Sequence, residues 1–264
     1  MKSNVISKRT VHAGAAISIS LMLAACGGGG SDTTVGATAP AITPAPASST
    51  GITANYYPVA ISNLWRFNVS SATVNMPKTC SHSIINTTVY KGVNAAILQD
   101  DCFSLTGSIT QNYYSKTTRA ITLLGNNDRT DPVTQAVTPY DEMRFDGSFS
   151  ATPLIEKTNV DLGQDLDGDR RNELVDVLAT GTVEGFETLT TPAGTFANTA
   201  RLKFVVVTTI KPTATGSRSV TSTATVTEWR APNVGLVKQS TITVSSGQTE
   251  TDSLELRSFS VVGQ

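Results

Sequence analysis

The chain has 264 residues, of which 20 are basic and 21 acidic, and a formal net charge of −1 at pH 7. Residues 1–25 hold three of the basic residues and none of the acidic ones, so residues 26–264 carry a net charge of −4. This acidic balance disfavours a nucleic-acid partner, which would need a basic patch.

The first 25 residues have the three-part order of an export signal. A positively charged segment comes first, with Lys2, Lys8 and Arg9. Residues 13–25 form an apolar stretch that is too short to span a bilayer, since a span needs about 20 apolar residues. Residues 21–26, Leu-Met-Leu-Ala-Ala-Cys, resemble a bacterial lipobox. The resemblance implies cleavage before Cys26, a diacylglycerol on its sulfur and an acyl chain such as palmitate on its amino group. An ordinary secretory signal with a coincidental cysteine is the alternative.

The segment after Cys26 predicts a lipid-anchored domain on a tether. Gly27 rather than Asp follows the cysteine, which favours the outer membrane in the enteric sorting pattern. Residues 26–50 are Gly, Ser, Thr, Ala and Pro almost throughout after the cysteine, and such a tract acts as a flexible linker. No second long apolar segment follows, so the lipid is expected to be the only membrane attachment. We therefore expect an outer-membrane lipoprotein that faces the periplasm or the cell surface.

Residues 51–264 predict a single all-β domain. They are rich in Thr, Val and Ser, with turn residues at short intervals and no convincing helical period. The expected architecture is an antiparallel meander of about ten strands that forms a sandwich or a curved, partly open barrel. The predicted strands are Leu64–Ser70, Ser83–Tyr90, Phe103–Tyr114, Arg119–Leu124, Glu142–Ala151, Leu174–Glu184, Ala200–Ile210, Ser219–Trp229, Gly235–Val244 and Ser253–Val262.

Two cysteines remain once Cys26 is lipidated. Cys80 and Cys102 lie 22 positions apart, and an isolated pair in an oxidising compartment predicts a disulfide. The alternative is a redox or metal-binding pair, for which His82 is the only nearby histidine. The absence of a CxxC spacing favours the disulfide.

Three segments resemble a group of bacterial exported β-domains. Residues 56–67, YYPVAISNLWRF, are similar to the group's opening "Y-[YF]-P-L-x-x-G-N-x-W-x-Y". Residues 191–196, TPAGTF, and 227–238, TEWRAPNVGLVK, are similar to its "T-P-A-G-T-F" and "T-E-W-[YFL]-A-P-x-V-G-L-V-K". The chain departs at Ser62, where the group has Gly, and at Arg230, where it has an aromatic or apolar residue. The resemblance implies an extracytoplasmic β-rich lipoprotein domain, with no established activity.

The same segments also have a physical interpretation. Residues 192–194 and 231–233 have the composition of turns between strands. Trp65 and Trp229 are expected to fill the core or cover a sheet end, with an exposed ligand platform as the alternative.

An acidic loop carries the strongest chemical signal. Asp165, Asp167 and Asp169 occupy positions 1, 3 and 5 of a DLDGDRRNE run, and Glu173 occupies position 9. Carboxylates at this spacing can turn onto one hard cation, and the carbonyl of Arg171 could complete the shell. The run resembles the D-x-D-G-D loops of calcium-binding β-domains, and predicts a structural Ca²⁺ site. A solvated acidic turn, partly neutralised by its own arginines, is the alternative.

No catalytic constellation is recognisable. His82 is the only histidine after residue 25, which excludes a His-rich zinc site, and there is no G-x-S-x-G or phosphate-binding motif. Paired carboxylates could still support glycoside hydrolysis, and the candidates are Asp100, Asp101, Asp141, Glu142, Glu184 and Glu187. We expect a non-catalytic domain that serves envelope structure, adhesion or interaction with an envelope or surface partner. A carrier of a hydrophobic ligand in a half-open barrel is the alternative, and a glycoside hydrolase ranks below it.

Overall fold

The computed structural model describes residues 51–71, 79–102 and 109–262. Within these ranges the chain forms one antiparallel sheet of twelve strands, a short 3-10 turn at Ala54–Tyr56 and one short α-helix, α1 (Pro132–Val137). The strands are β1 (Leu64–Ser71), β2 (Thr79–Tyr90), β3 (Val93–Asp100), β4 (Thr110–Lys116), β5 (Ala120–Asn126), β6 (Tyr140–Arg144), β7 (Ile155–Asp161), β8 (Leu174–Thr191), β9 (Gly194–Lys211), β10 (Val220–Ala231), β11 (Gly235–Ser245) and β12 (Gln248–Ser260).

The sheet consists of two consecutive meanders. Strands β1 to β6 pair in sequence order, strands β7 to β12 do the same, and the pairing of β1 with β12 joins the halves. The two outermost strands, β6 and β7, lie at opposite ends of the strand order, and α1 contacts both β5 and β7. The sheet is therefore a nearly closed barrel, which confirms the curved-barrel expectation and excludes two separate sheets.

The concave side of the sheet holds the core. Residues of alternating positions point inward along each strand, as Leu202, Phe204 and Val206 of β9 do with 0 to 1% of their surface exposed. Gly181 of β8 lies under the ring of Phe149, where a Cβ would come within 2.5 Å of the ring. The absence of a side chain at Gly181 thus lets Phe149 pack against Phe204, with ring centroids 5.5 Å apart.

Four predicted strands are too short, because β2 begins at Thr79, β8 continues to Thr191, β9 begins at Gly194 and β12 begins at Gln248. Four further differences concern strands that were missed or misplaced. Strands β3 and β7 were not predicted: β3 has two alanines at its centre, and β7 is an edge strand whose side chains are mostly exposed. The predicted strand Glu142–Ala151 was too long, because β6 ends at Arg144. The predicted strand Phe103–Tyr114 is described only from residue 109, and β4 begins at Thr110.

Helix α1 was also missed, because it is shorter than the window over which a helical period can be recognised. Its start nonetheless has recognisable chemistry. Asp131 is the N-cap and accepts a hydrogen bond from the Thr134 N–H at 3.1 Å, and Pro132 stands at the first helical position.

Candidate functional site

The acidic loop, residues 162–173, connects β7 to β8. One carboxylate oxygen from each of Asp165, Asp167 and Glu173 lies within 4.8 Å of the other two. The two aspartates are exposed, whereas Glu173 is fully buried. Glu173 Oε1 accepts the N–H of Asp167 at 3.0 Å, and Oε2 is buried without a hydrogen-bond partner among the described residues. The carboxylates of three of the five predicted ligand residues are therefore close enough to share one ion.

Asp169, the fourth acidic residue of the predicted set, lies outside this group. Asp169 accepts hydrogen bonds from the Thr213 hydroxyl at 3.1 Å and from the N–H of Arg171 at 2.8 Å. Asp167 Oδ2 accepts the N–H of Ala214 at 2.9 Å. The acidic loop is thereby joined to residues 212–219, the connection between β9 and β10.

The electrostatics of the loop reflect crowded negative charge. Burial raises the pKa of Glu173, the backbone N–H groups of Leu166 and Asp167 oppose this increase, and the neighbouring charges of Asp167 and Asp165 add to it. The N–H of Ala214 lowers the pKa of Asp167, which keeps that carboxylate ionised. Within the described chain neither Arg170 nor Arg171 forms an ion pair with these carboxylates. The loop arginines therefore make no direct ion pair with the three carboxylates.

The cysteine pair forms the predicted disulfide. Cys80 of β2 and Cys102, just after β3, are bonded with a Cα–Cα distance of 4.8 Å. His82 and Asp100 lie beside it, each 2% exposed, with His82 Nε2 3.3 Å from Asp100 Oδ1. Asp100 Oδ1 also accepts the N–H of Cys102 at 2.7 Å. Sulfurs joined in a disulfide are not thiolate ligands, so this cluster is part of the core rather than a metal site.

The other carboxylates that were candidates for hydrolysis have structural partners. Asp101 accepts the Ser81 hydroxyl, Asp141 pairs with Arg144, and Glu184 pairs with Arg201. Glu187 accepts the indole N–H of Trp229 at 2.6 Å. Trp229 is half-buried and lies on the outer face of the sheet. Trp65, by contrast, is in the core at 5% exposed.

The three segments that carry the family resemblance converge at one end of the barrel. The Trp65 indole donates to the Val234 carbonyl at 2.6 Å, which links the opening segment to the β10–β11 turn. The Tyr56 hydroxyl donates to the Asn198 carbonyl at 2.9 Å, just after the TPAGTF hairpin turn. The N–H of Ala193 in that turn donates to the Leu256 carbonyl of β12 at 3.1 Å. Hydrogen bonds between segments that are far apart in sequence thus hold this end of the barrel together.

A buried charged network lies in the barrel interior, and the sequence did not predict it. Arg230 and Glu228 of β10 and Glu142 of β6 are 1 to 3% exposed. Arg230 Nε donates to Glu228 Oε2 at 2.7 Å, and its Nη2 lies 3.7 Å from Glu142 Oε1. Seven strands separate β6 from β10 along the sheet, so Glu142 and Arg230 can meet only across the interior.

Tyr57 of the opening segment completes this interior network, which comprises Glu142, Glu228, Arg230 and Tyr57. Its hydroxyl donates to Glu142 Oε1 at 3.0 Å, and the Arg230 guanidinium lies 4.2 Å from its ring centre. A desolvated cation over an aromatic ring contributes about 2 kcal/mol. The segment before β1, which carries Tyr57, is therefore held in the barrel interior by polar as well as apolar contacts.

Burial dominates the titration of the network. It raises the pKa of Glu142 to about 8, against the opposing effect of Arg230, and Glu228 raises it further. Glu142 is therefore mostly protonated at neutral pH, and the closer contact of Arg230 is the one with Glu228. A cavity of about 20 Å³ between Arg230, His82 and Trp65 has room for about one water molecule.

Comparison with known proteins gives two fold neighbours. A structure from Parabacteroides distasonis ATCC 8503, called a "putative lipoprotein", matches over 78% of this chain and 98% of its own, with 17% identity and a TM-score of 0.46. A "putative exported protein with YmcC-like fold" from Bacteroides fragilis NCTC 9343 matches over 77% of this chain and 98% of its own, with 14% identity and a TM-score of 0.42. No protein-family model matches the chain, and no curated protein does.

Proposed function

We propose that the chain is an exported lipoprotein, anchored in the outer membrane by the lipid on Cys26, with a non-catalytic β-domain that serves envelope structure, adhesion or interaction. Cys26 and residues 27–50 lie outside the described residues, so the anchor and the tether rest on the lipobox and the composition. No helix among the described residues is long and apolar enough to cross a membrane.

The filled interior of the described barrel carries the non-catalytic part of the proposal. Phe67, Phe204 and Leu256 are completely buried in the interior, and the side chains of the interior network are packed there as well. Glu142, one of the carboxylates considered for hydrolysis, and Glu228 beside it are 1 to 2% exposed. A glycan could not reach them, because an accessible cleft must admit the substrate between the two carboxyl groups.

One observation favours the carrier function as a second candidate. A groove of about 640 Å³ lies where the concave face opens beside β2, β3 and β4, and this volume is within the range of ligand pockets. Thr87, Ala96 and Tyr114 are register partners across these strands and therefore share that face. Val89 lines the groove with 66% of its surface exposed. A hydrophobic ligand with a polar end would suit this mixed lining of Val, Ala, Thr and Tyr side chains.

Anchoring is tested with Cys26→Ser in cells, followed by membrane fractionation and detergent phase separation. The unsubstituted protein should partition with outer membranes and into the detergent phase, and the variant should leave both. Equal partitioning of the two proteins would refute the lipid anchor.

The role of the domain is tested by crosslinking in cells. An envelope or surface partner should be recovered with the anchored protein, and Val89→Lys should leave that recovery unchanged. If crosslinking recovers no partner under several growth conditions, and Val89→Lys abolishes binding of a fluorescent fatty acid, the carrier function replaces the interaction function.

A further inference from the structure

We infer that Asp165, Asp167 and Glu173 form a Ca²⁺ site that ties the acidic loop to the β9–β10 connection. The inference is independent of the proposed function. It rests on the oxygen geometry, on one buried carboxylate oxygen without a partner, and on the contacts between the two loops.

The oxygen spacing allows one cation to contact all three carboxylates. Ca²⁺ holds oxygen ligands at about 2.3 to 2.6 Å, so two ligands on opposite sides of one ion lie about 5 Å apart at most. The carboxylate oxygens of Asp165, Asp167 and Glu173 lie within 4.8 Å of one another. Ca²⁺ accepts irregular oxygen shells, whereas Mg²⁺ demands a near-ideal octahedron and keeps several waters. An irregular loop that offers three carboxylates therefore favours Ca²⁺.

The buried oxygen of Glu173 distinguishes this cluster from an ordinary acidic turn. Acidic side chains on a surface are solvated by water and need no cation. Glu173 is fully buried, and its Oε2 has no hydrogen-bond partner among the described residues. A buried carboxylate oxygen without a donor is costly unless a cation or another donor satisfies it. A bound Ca²⁺ would satisfy Oε2 and relieve the repulsion from Asp165 and Asp167.

The hydrogen bonds already present leave room for the ion. Each carboxylate oxygen has two acceptor sites. Asp165 accepts the N–H groups of Gly168 and Arg170 through different oxygens, at 2.6 and 2.8 Å, and Asp167 accepts those of Asp169 and Ala214 in the same way. These bonds orient the oxygens and leave a lone pair on each for metal binding.

The site connects two loops because Asp167 serves both. Its Oδ2 accepts the N–H of Ala214, and the adjacent Asp169 accepts the Thr213 hydroxyl. An ion that fixes Asp167 therefore also fixes residues 212–219 relative to the acidic loop. Asp169 faces Thr213 rather than the three-oxygen cluster, which narrows the ligand set given by the motif alone.

The test measures the melting temperature of the full-length protein after chelator treatment, with Ca²⁺ or Mg²⁺ added at constant ionic strength. Extracellular calcium modules bind at about 10⁻⁴ to 10⁻³ M, so 10 mM Ca²⁺ should raise Tm by roughly 3 to 10 °C. Glu173→Gln, which keeps the shape and removes the charge, should abolish this shift. Asp169→Asn, in the same loop, should retain most of it, and Glu184→Gln, outside the loop, should retain all of it.

Hydrogen exchange provides a second readout, which reports on the contact between the two loops. Hydrogen exchange at Ala214 should slow when Ca²⁺ is added to the unsubstituted protein and stay unchanged in Glu173→Gln. The inference is overturned if 10 mM Ca²⁺ leaves Tm unchanged, if Mg²⁺ gives the same shift, or if Glu173→Gln responds as the unsubstituted protein does.

Discussion

The interior network and the acidic loop both gather carboxylates, but only the interior network includes its own cation. In the barrel, Arg230 lies between Glu228 and Glu142 and contacts both. In the loop, Asp165, Asp167 and Glu173 converge, and no arginine of the described chain pairs with them. The same fold therefore neutralises one acidic cluster internally and leaves the other short of positive charge.

This difference in charge pairing distinguishes the interior network, which stabilises the barrel, from the acidic loop, where we propose a cation site. A buried charge must be paired. Inside the barrel Arg230 supplies that pairing, although Arg230 Nη2 and Glu142 Oε2 have no hydrogen-bond partner among the described residues. An unneutralised cluster retains both the electrostatic attraction and the free lone pairs that a cation needs. Removal of charge should consequently have opposite effects at the two places.

The largest effect is expected from Arg230→Met, which removes the cation of the interior network and keeps a side chain of similar length. Glu228 would remain buried without its partner, and breaking a buried ion pair costs about 3 to 5 kcal/mol. Urea denaturation at pH 7 should show a loss of that size in the free energy of unfolding. Adding Glu142→Gln and Glu228→Gln should recover much of it, since no buried charge then remains. A loss below about 1 kcal/mol would show that the network is not charged.

A smaller effect is expected from pH, through Glu142. Its pKa is raised to about 8 when folded, from an ordinary value of 4.5, so between these values the folded state retains a proton that the unfolded state releases. Stability is therefore fully present below pH 4.5 and falls as pH rises towards 8, on the order of 1 kcal/mol per pH unit. Glu142→Gln should flatten this dependence in urea denaturation at pH 5 to 8. Parallel curves for the two proteins would contradict the assignment to Glu142.

In the acidic loop the sign should reverse. Without calcium, Glu173→Gln should stabilise the protein by roughly 0.5 to 1 kcal/mol, because the change removes like-charge repulsion and supplies an amide donor beside Asp165 and Asp167. The free energy of unfolding in chelator measures this change. Destabilisation would mean that protein groups alone satisfy the buried carboxylate, and the contrast between the two clusters would then fail.

Much of the barrel could be predicted from the sequence, because its strands are long and alternate. The turn between β10 and β11 is the clearest case, since residues 231–233 have the turn composition that predicted it. Strand β3 was missed because Ala95 and Ala96 are weak strand formers. Ala96 pairs with Tyr114 of β4 and Ala95 with Thr88 of β2, so both alanines lie within the sheet. Burial that depends on neighbouring strands cannot be predicted from a short stretch of sequence.

The two acidic clusters differ in the same respect. The loop was predictable because its members lie within nine consecutive residues. In the interior network, Glu228 and Arg230 lie on the same face of β10 as Val226. Trp229, between them in sequence, lies on the opposite face. That alternation was a signal that charges face the core. Glu142 could not have been added from sequence, because its contact with Arg230 crosses the barrel between strands that are not neighbours.

The smallest effect is expected at Glu184, whose ion pair with Arg201 has the same chemistry as the interior network but lies on the surface. Glu184 Oε2 is 2.9 Å from Arg201 Nε, with 28% and 44% of the two side chains exposed. Water and salt screen such pairs, so Glu184→Gln should change the free energy of unfolding by less than about 0.5 kcal/mol. Urea denaturation at low and high salt provides the measurement, alongside Arg230→Met. A loss comparable to that of Arg230→Met would mean that ion pairing alone, rather than burial, sets the size of these effects.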